Sequence, residues 1–232
     1  MADATDAVLA FLVAGAIAWL LVPLAERLAV RVGAIDYPGE RSLHDSPKPR
    51  LSGIAILAGI EVAGWLWLSG DGQTRAILVG AGAIAAVGIA DDILELPAAP
   101  KLAGQIGASL IPVLAGVRVE SFTFPFIGGH ELGWLAYPVT VLGIVAVVNV
   151  INLLDGVDGL AAGVCAISAL TFAVIALSLD RNAAGVLAAI TAGAALGFLR
   201  HGFPPASSFM GDTGSNLLGY MLAVVAVQGA LK

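Results

Sequence analysis

The chain has 232 residues, of which 59% are hydrophobic and only 12% charged, with a formal net charge of −6 and a mean hydropathy of +0.94. A water-soluble domain of this size carries about 25% charged residues to cover its surface. The deficit runs the whole length, which excludes a soluble globular enzyme and makes lipid the main solvent.

The net charge mixes both membrane faces and says little about partners; no nucleic-acid partner is expected. Glycine is abundant, at 29 residues, as expected where helices pack closely without a hydrophobic drive. The one cysteine, Cys165, lies in an apolar run and excludes an intrachain disulfide. The N-terminal Met-Ala-Asp-Ala-Thr-Asp lacks a basic region, so the first apolar run reads as a retained helix rather than a cleaved signal peptide.

A helix needs about 20 mostly apolar residues to cross the hydrocarbon core. Such runs are expected at about 7–28, 51–69, 75–90, 101–117, 135–153, 159–179, 182–199 and 213–231. This gives an all-α, polytopic membrane protein of about eight spans, with residues 1–232 as a single membrane domain. With the N-terminus outside, Arg27, Arg31, Arg41, Lys48, Arg50, Lys101 and Arg200 fall on the cytoplasmic side. Only Arg75, Arg118, Arg181 and Lys232 then fall outside, an asymmetry that favours this orientation.

Between the first two spans lies a basic, proline-rich loop containing Asp36, Arg41, His44, Lys48 and Arg50. It suits anion binding at the membrane surface, or simply the positive-inside bias. Glu61 sits in mid-span, where a carboxylate must be paired, protonated or facing a cavity. The third span ends in Asp91-Asp92; alone, the pair reads as a solvated helix end. The outer segment 117–134 partly alternates, and Gly128-Gly129 could turn a short β-hairpin.

The fifth span ends in Asn149-Val-Ile-Asn152-Leu-Leu-Asp155-Gly156-Val-Asp158-Gly159-Leu160. Polar groups recurring every three residues share one helical face. A turn explains one such residue, not four, so the cluster implies a cavity or an ion. Gly193 and Gly197 in the seventh span read as helix packing rather than a dimer site. The eighth span opens with Phe209-Met-Gly-Asp212-Thr213-Gly-Ser215, a carboxylate and hydroxyls that suit a hard cation and phosphate oxygens, or an ordinary N-cap.

The combination resembles the polyprenyl-phosphate N-acetylhexosamine-1-phosphate transferase family (WecA/TagO/MraY-like). The matching stretches are Arg41 to Gly53, Asp91-Asp92 through Lys101, Asn149 to Leu160, and Arg200 through Ser215. The short step from Asp-Asp to Lys101 is similar to the UDP-N-acetylglucosamine branch. The resemblance implies transfer of a sugar-1-phosphate from a UDP-sugar to a polyprenyl phosphate, releasing UMP, as a first membrane step of envelope glycan synthesis. It implies Mg²⁺, with Mn²⁺ as the alternative, held by Asp212 and Asn152. Lys101 would meet phosphate, and Asp91 and Asp92 would position or deprotonate the lipid phosphate, with Asp155 among the catalytic carboxylates. Gly156, Asp158 and Phe209 would form the uridine pocket, with Asn149, His44 and Arg200 as further substrate contacts.

Departures from the family pattern are Ser42 in place of Lys, Ser52-Gly53 in place of Gly-Gly, and Gly202 in place of an Asn. The family's later His-x-His-His-type loop lies beyond Lys232. The isolated chain is therefore expected to bind nucleotide but transfer slowly, and to form a homo-oligomer or take a partner subunit. An impaired subunit or scaffold, and an ion-coupled transporter, are the competing readings.

Overall fold

The computed structural model describes residues 3–38, 46–124 and 128–230. Its helices are α1 (Ala4–Val32), α2 (Gly53–Leu68), α3 (Gly72–Leu94), α4 (Ala98–Leu114), α5 (Ala136–Leu154), α6 (Leu160–Ser178), α7 (Asn182–Gly202) and α8 (Gly211–Ala230). Each of the eight expected spans therefore has its helix. Among the described residues, five helical stretches are by themselves long and apolar enough to cross a membrane: those of α1, α3, α6 and α7, and α5 with the single 3-10 turn that precedes it. The protein is a multi-pass membrane protein.

Local signals set the helix ends. The Asp3 carboxylate caps α1 by accepting the N–H groups of Thr5 and Asp6, while Asp6 returns a bond to the Asp3 N–H. Asp71 caps α3 through the Thr74 N–H. Glu95, in the left-handed conformation, closes α3, and its N–H reaches the Asp91 carbonyl.

Helix α8 is the axis of the bundle. It packs on α2, α3, α5, α6 and α7, and Leu217, Leu218, Tyr220, Met221 and Val224 on it are buried. Helix α1 lies outside, against α7 and α2. Its contact with α7 depends on Gly193 and Gly197, where a Cβ would run into the carbonyls of Phe11 and Gly15. Those two glycines serve packing within the chain.

The strands are short. β1 (Ile35–Asp36) pairs antiparallel with β2 (Lys48–Pro49), and β3 (Ser121–Phe124) with β4 (Gly128–Glu131). The hairpin expected in segment 117–134 is present, but Gly128 and Gly129 belong to its second strand, paired with Phe124 and Thr123. The connecting residues 125–127 lie outside the described residues. Mid-span Glu61 is paired at one oxygen, which accepts the indole N–H of Trp65 one turn along α2 at 2.8 Å.

Candidate active site at one end of the bundle

Helices α3, α5 and α7 end, and α4, α6 and α8 begin, at the same face as the β1–β2 ribbon. The β3–β4 hairpin joins α4 to α5 at the other face. This alternation gathers motifs spread over more than half the sequence.

The segment leading into α8 is stitched to the segment leading into α2. The Phe209 N–H donates to the Pro49 carbonyl at 2.9 Å, and the N–H groups of Ser52 and Gly53 donate to the carbonyls of Phe209 and Met210. The hydroxyls of Ser52 and Ser208 meet at 2.6 Å. Lys48 Nζ donates to the Ala206 carbonyl at 2.6 Å, and the Ala206 N–H donates to Asp158 at 3.0 Å. Phe209 is thus held by backbone bonds on both sides.

Asp92 is 3% exposed. Its carboxylate accepts the N–H of Asp212 at 2.8 Å, the N–H of Thr213 at 3.0 Å and the Thr213 hydroxyl at 2.6 Å. Asp92, in the last turn of α3, thereby caps α8, a helix start that has orphan N–H groups to satisfy. Gly211 at this joint has φ +66°, and a Cβ there would stand 2.6 Å and 2.7 Å from the two Asp92 carboxylate oxygens. Neither the backbone angle nor the space admits another residue.

Asp91 turns the other way, as adjacent helical residues must. It accepts the Lys101 ammonium at 2.7 Å and the Leu96 N–H at 2.8 Å. Lys101 also pairs with Asp212 at 3.1 Å. The same Asp212 oxygen accepts the Asn152 amide, and Asn152 donates as well to the Ser215 hydroxyl at 2.9 Å. One carboxylate is therefore shared by α4, α5 and α8.

These groups border a cavity of about 450 Å³ lined by Asp36, Arg50, Asp92, Asn152, Asp155, Gly156, Asp158, Phe198, Gly202, Phe209 and Asp212, among others. The structure brings together Asp92, Asp155, Gly156, Asp158, Phe209, Asp212 and Asn152 from the sequence reading, with Asp91 and Lys101 adjoining. Asn149 lies one turn deeper and donates to the Gln105 side chain at 2.8 Å; it does not line the cavity. Arg200 borders a separate apolar groove between α1 and α7, beside Trp19. The reason is helical geometry: Phe198 and Gly202 face the cavity, and two residues' separation turns a side chain by about 200° to the far side. His44, with Arg41, lies outside the described residues.

Sequence reasoning missed two wall residues as site members, Asp36 and Arg50. Arg50 Nη2 donates to the Asp92 carbonyl at 3.0 Å and pairs with Glu95 at 3.2 Å. It also missed two fully buried polar side chains, Gln105 and Asn216. Their signal was legible: each stands one turn beyond a candidate functional residue, inside an apolar span.

The electrostatics favour a cation. Among the described residues, five lining carboxylates, Asp36, Asp92, Asp155, Asp158 and Asp212, face one lining guanidinium, Arg50. Loss of solvent, then the negative charge of Asp212, Asp92 and Asp158, pushes the Asp155 carboxyl well above the usual carboxylate range. Among the described residues no three His, Cys, Asp or Glu side chains stand together as a preformed metal cluster. A hard ion of the Mg²⁺ kind takes one or two carboxylates and completes its shell with water and substrate phosphate. The oxygen donors present, Asp212, the Asn152 amide and the recessed Asp155, fit it.

The glycosyl transferase family 4 model matches residues 74–230. The chain belongs to that family. A Bacillus subtilis (strain 168) relative named "Probable undecaprenyl-phosphate N-acetylglucosaminyl 1-phosphate transferase" is 42% identical over 228 residues, covering 97% of this chain and 63% of the relative. A "Decaprenyl-phosphate N-acetylglucosaminephosphotransferase" of Mycolicibacterium smegmatis is 36% identical over 223 residues, covering 88% of this chain and 55% of that protein. A "Phospho-N-acetylmuramoyl-pentapeptide-transferase" of Desulforudis audaxviator is 34% identical over 245 residues, covering 94% of this chain and 73% of that protein. The chain thus spans 63% and 55% of the length of the first two family members.

Proposed function

We propose that the protein transfers N-acetylglucosamine-1-phosphate from UDP-N-acetylglucosamine to a polyprenyl phosphate and releases UMP, with its site on the cytoplasmic face. The observation that carries this reading is Lys101 held between Asp91 and Asp212 at the edge of a cavity that also contains Phe209. A phosphate-seeking cation and a base-stacking ring then share one site. The names of the two N-acetylglucosamine relatives support the choice of sugar and lipid. The excess of Lys and Arg near the site-bearing face supports the cytoplasmic orientation.

In this reading an oxygen of the lipid phosphate attacks the β-phosphorus of the UDP-sugar. The bond from that phosphorus to the oxygen bridging the α-phosphate breaks, and UMP leaves with the electron pair. The product is a polyprenyl-diphospho-sugar. Mg²⁺, or Mn²⁺ in its place, held by Asp212 and Asn152, would supply the positive charge that lets a diphosphate enter among carboxylates and offsets charge developing in transfer.

The chain's own residues bind and orient. Phe209 stacks on the uracil ring, and Gly156 admits the nucleotide close to the backbone. Lys101 and Arg50 face the phosphates. Asp92 holds the start of α8, and Asp91 holds Lys101; neither carboxylate is free of partners. No general base is needed, because a phosphate monoester with a second pKa near ~6 arrives mostly dianionic at neutral pH. The test is whether label from UDP-[¹⁴C]N-acetylglucosamine enters the organic phase when undecaprenyl phosphate is supplied. Label remaining in the aqueous phase overturns the reading.

A further inference from the structure

Beneath the charged layer lies a second polar layer, built from the same three helices. Helix α4 carries Lys101 and, one turn deeper, Gln105. Helix α5 carries Asn152 and, about one turn deeper, Asn149. Helix α8 carries Asp212 and, one turn deeper, Asn216. The deeper three are bonded to one another. Asn149 Nδ2 donates to Gln105 Oε1 at 2.8 Å, and Gln105 Nε2 reaches Asn216 Oδ1 at 3.4 Å. Gln105 and Asn216 are both 0% exposed, so no water replaces these bonds if they are lost.

We propose that Gln105 is a positioning residue: its amide ties α4 to α5 and α8, and so holds Lys101 in register with Asp212 and Asn152. The inference rests on the proposed phosphate transfer for its kinetic consequence, and on geometry alone for its structural one. The surroundings of α4 are α3 and α5 together with these polar bonds to α8. Lys101 meets Asp212 across that α4–α8 gap at 3.1 Å. A slide or rotation of α4 by about 1 Å would break the pair, and a misplacement of that size costs about 10²-fold in rate where groups must be aligned.

The chain holds three lysines, Lys48, Lys101 and Lys232, which makes a direct readout practical. Reductive ¹³C-methylation of the detergent-solubilised protein gives lysine methyl resonances, with Lys101 assigned through Lys101→Arg. Gln105→Leu, which keeps the volume and removes the amide, is expected to move the Lys101 resonance toward the position of a freely solvated dimethyl-lysine, as in a methylated lysine-containing peptide. It is also expected to lower kcat 10- to 100-fold while the KM for UDP-N-acetylglucosamine stays within threefold. Asn149→Leu cuts the same bridge at an exposed position and is expected to move the resonance in the same direction, which covers the case that Gln105→Leu does not fold. An unmoved Lys101 resonance in the folded variants, or kinetic constants unchanged beside a lowered melting temperature, overturns the positioning role. Absence of transfer by the unaltered protein would instead remove the proposed function, and the resonance would still decide the role of Gln105.

Discussion

Asp92 and Thr213 are joined twice: the carboxylate at the end of α3 accepts both the hydroxyl of Thr213 at 2.6 Å and its backbone N–H at 3.0 Å. One helix end therefore caps another helix's start, and the cap sits directly under the Asp212 side chain. Replacing an N-capping carboxylate by Ala costs about 0.5–2 kcal/mol. Asp92→Ala should lower the melting temperature in detergent and also lose activity, because Asp212 is displaced. Unchanged melting and activity would show that α8 needs no cap from α3.

Asp155 gives a pH-dependent signature. Its carboxyl is raised in the folded protein by burial and by the charge of Asp212, Asp92 and Asp158. The folded state therefore binds this proton more tightly than the unfolded chain does, whose Asp titrates near about 3.9. No penalty exists below that value; it grows as pH rises toward the folded pKa, so stability falls with pH. Asp155→Asn should flatten this dependence in metal-free protein. Mg²⁺ at about 100-fold excess over its Kd should stabilise the unaltered protein by about 2.7 kcal/mol, and Asp212→Asn much less. Melting curves against pH, with and without Mg²⁺, read both effects; equal Mg²⁺ stabilisation in the unaltered protein and Asp212→Asn would move the ion elsewhere.

Phe209 is held in the cavity wall by backbone bonds to Pro49 and Ser52. Removing a base-stacking ring costs about 1–3 kcal/mol. Phe209→Ala should weaken UMP binding by that amount in calorimetry without altering the melting temperature of the unliganded protein. Unchanged UMP affinity would place the nucleotide against another wall.

Topology can be read with cysteines, since the single native one, Cys165, is buried and removable. In a Cys165→Ala background, Ser207→Cys should react with an impermeant maleimide only from the cytoplasmic face, and Glu131→Cys only from the outer face. Both positions are exposed. The reverse pattern would invert the protein and move the site outside.

The eight helices were legible because lipid demands long apolar runs, and the run lengths alone reproduce them. The cluster from Asn152 to Asp158 and the Phe209–Asp212 segment were legible as a site because polar groups at span ends are costly without partners. What stayed hidden depended on which way each helix turns. Arg200 reads from its neighbours as a site residue, but it sits across the helix from Phe198 and Gly202 and faces α1. Asn149 has the spacing of the cluster yet lies a turn too deep to reach the cavity. Arg50 was lost among the basic residues of its loop, since nothing local reveals that its guanidinium folds back to the end of α3 at the Asp92 carbonyl and Glu95.

The central claim is most directly tested by which nucleotide is released. The protein, reconstituted with undecaprenyl phosphate and Mg²⁺, is given UDP-N-acetylglucosamine, and the nucleotide products are separated by anion exchange. Cleavage between the two phosphates yields UMP in equal amount to lipid-linked diphospho-N-acetylglucosamine, and Asp212→Asn or chelation of the metal abolishes both. Release of UDP, which means that the sugar leaves without its phosphate, or no lipid-linked product from the unaltered chain, would contradict the account.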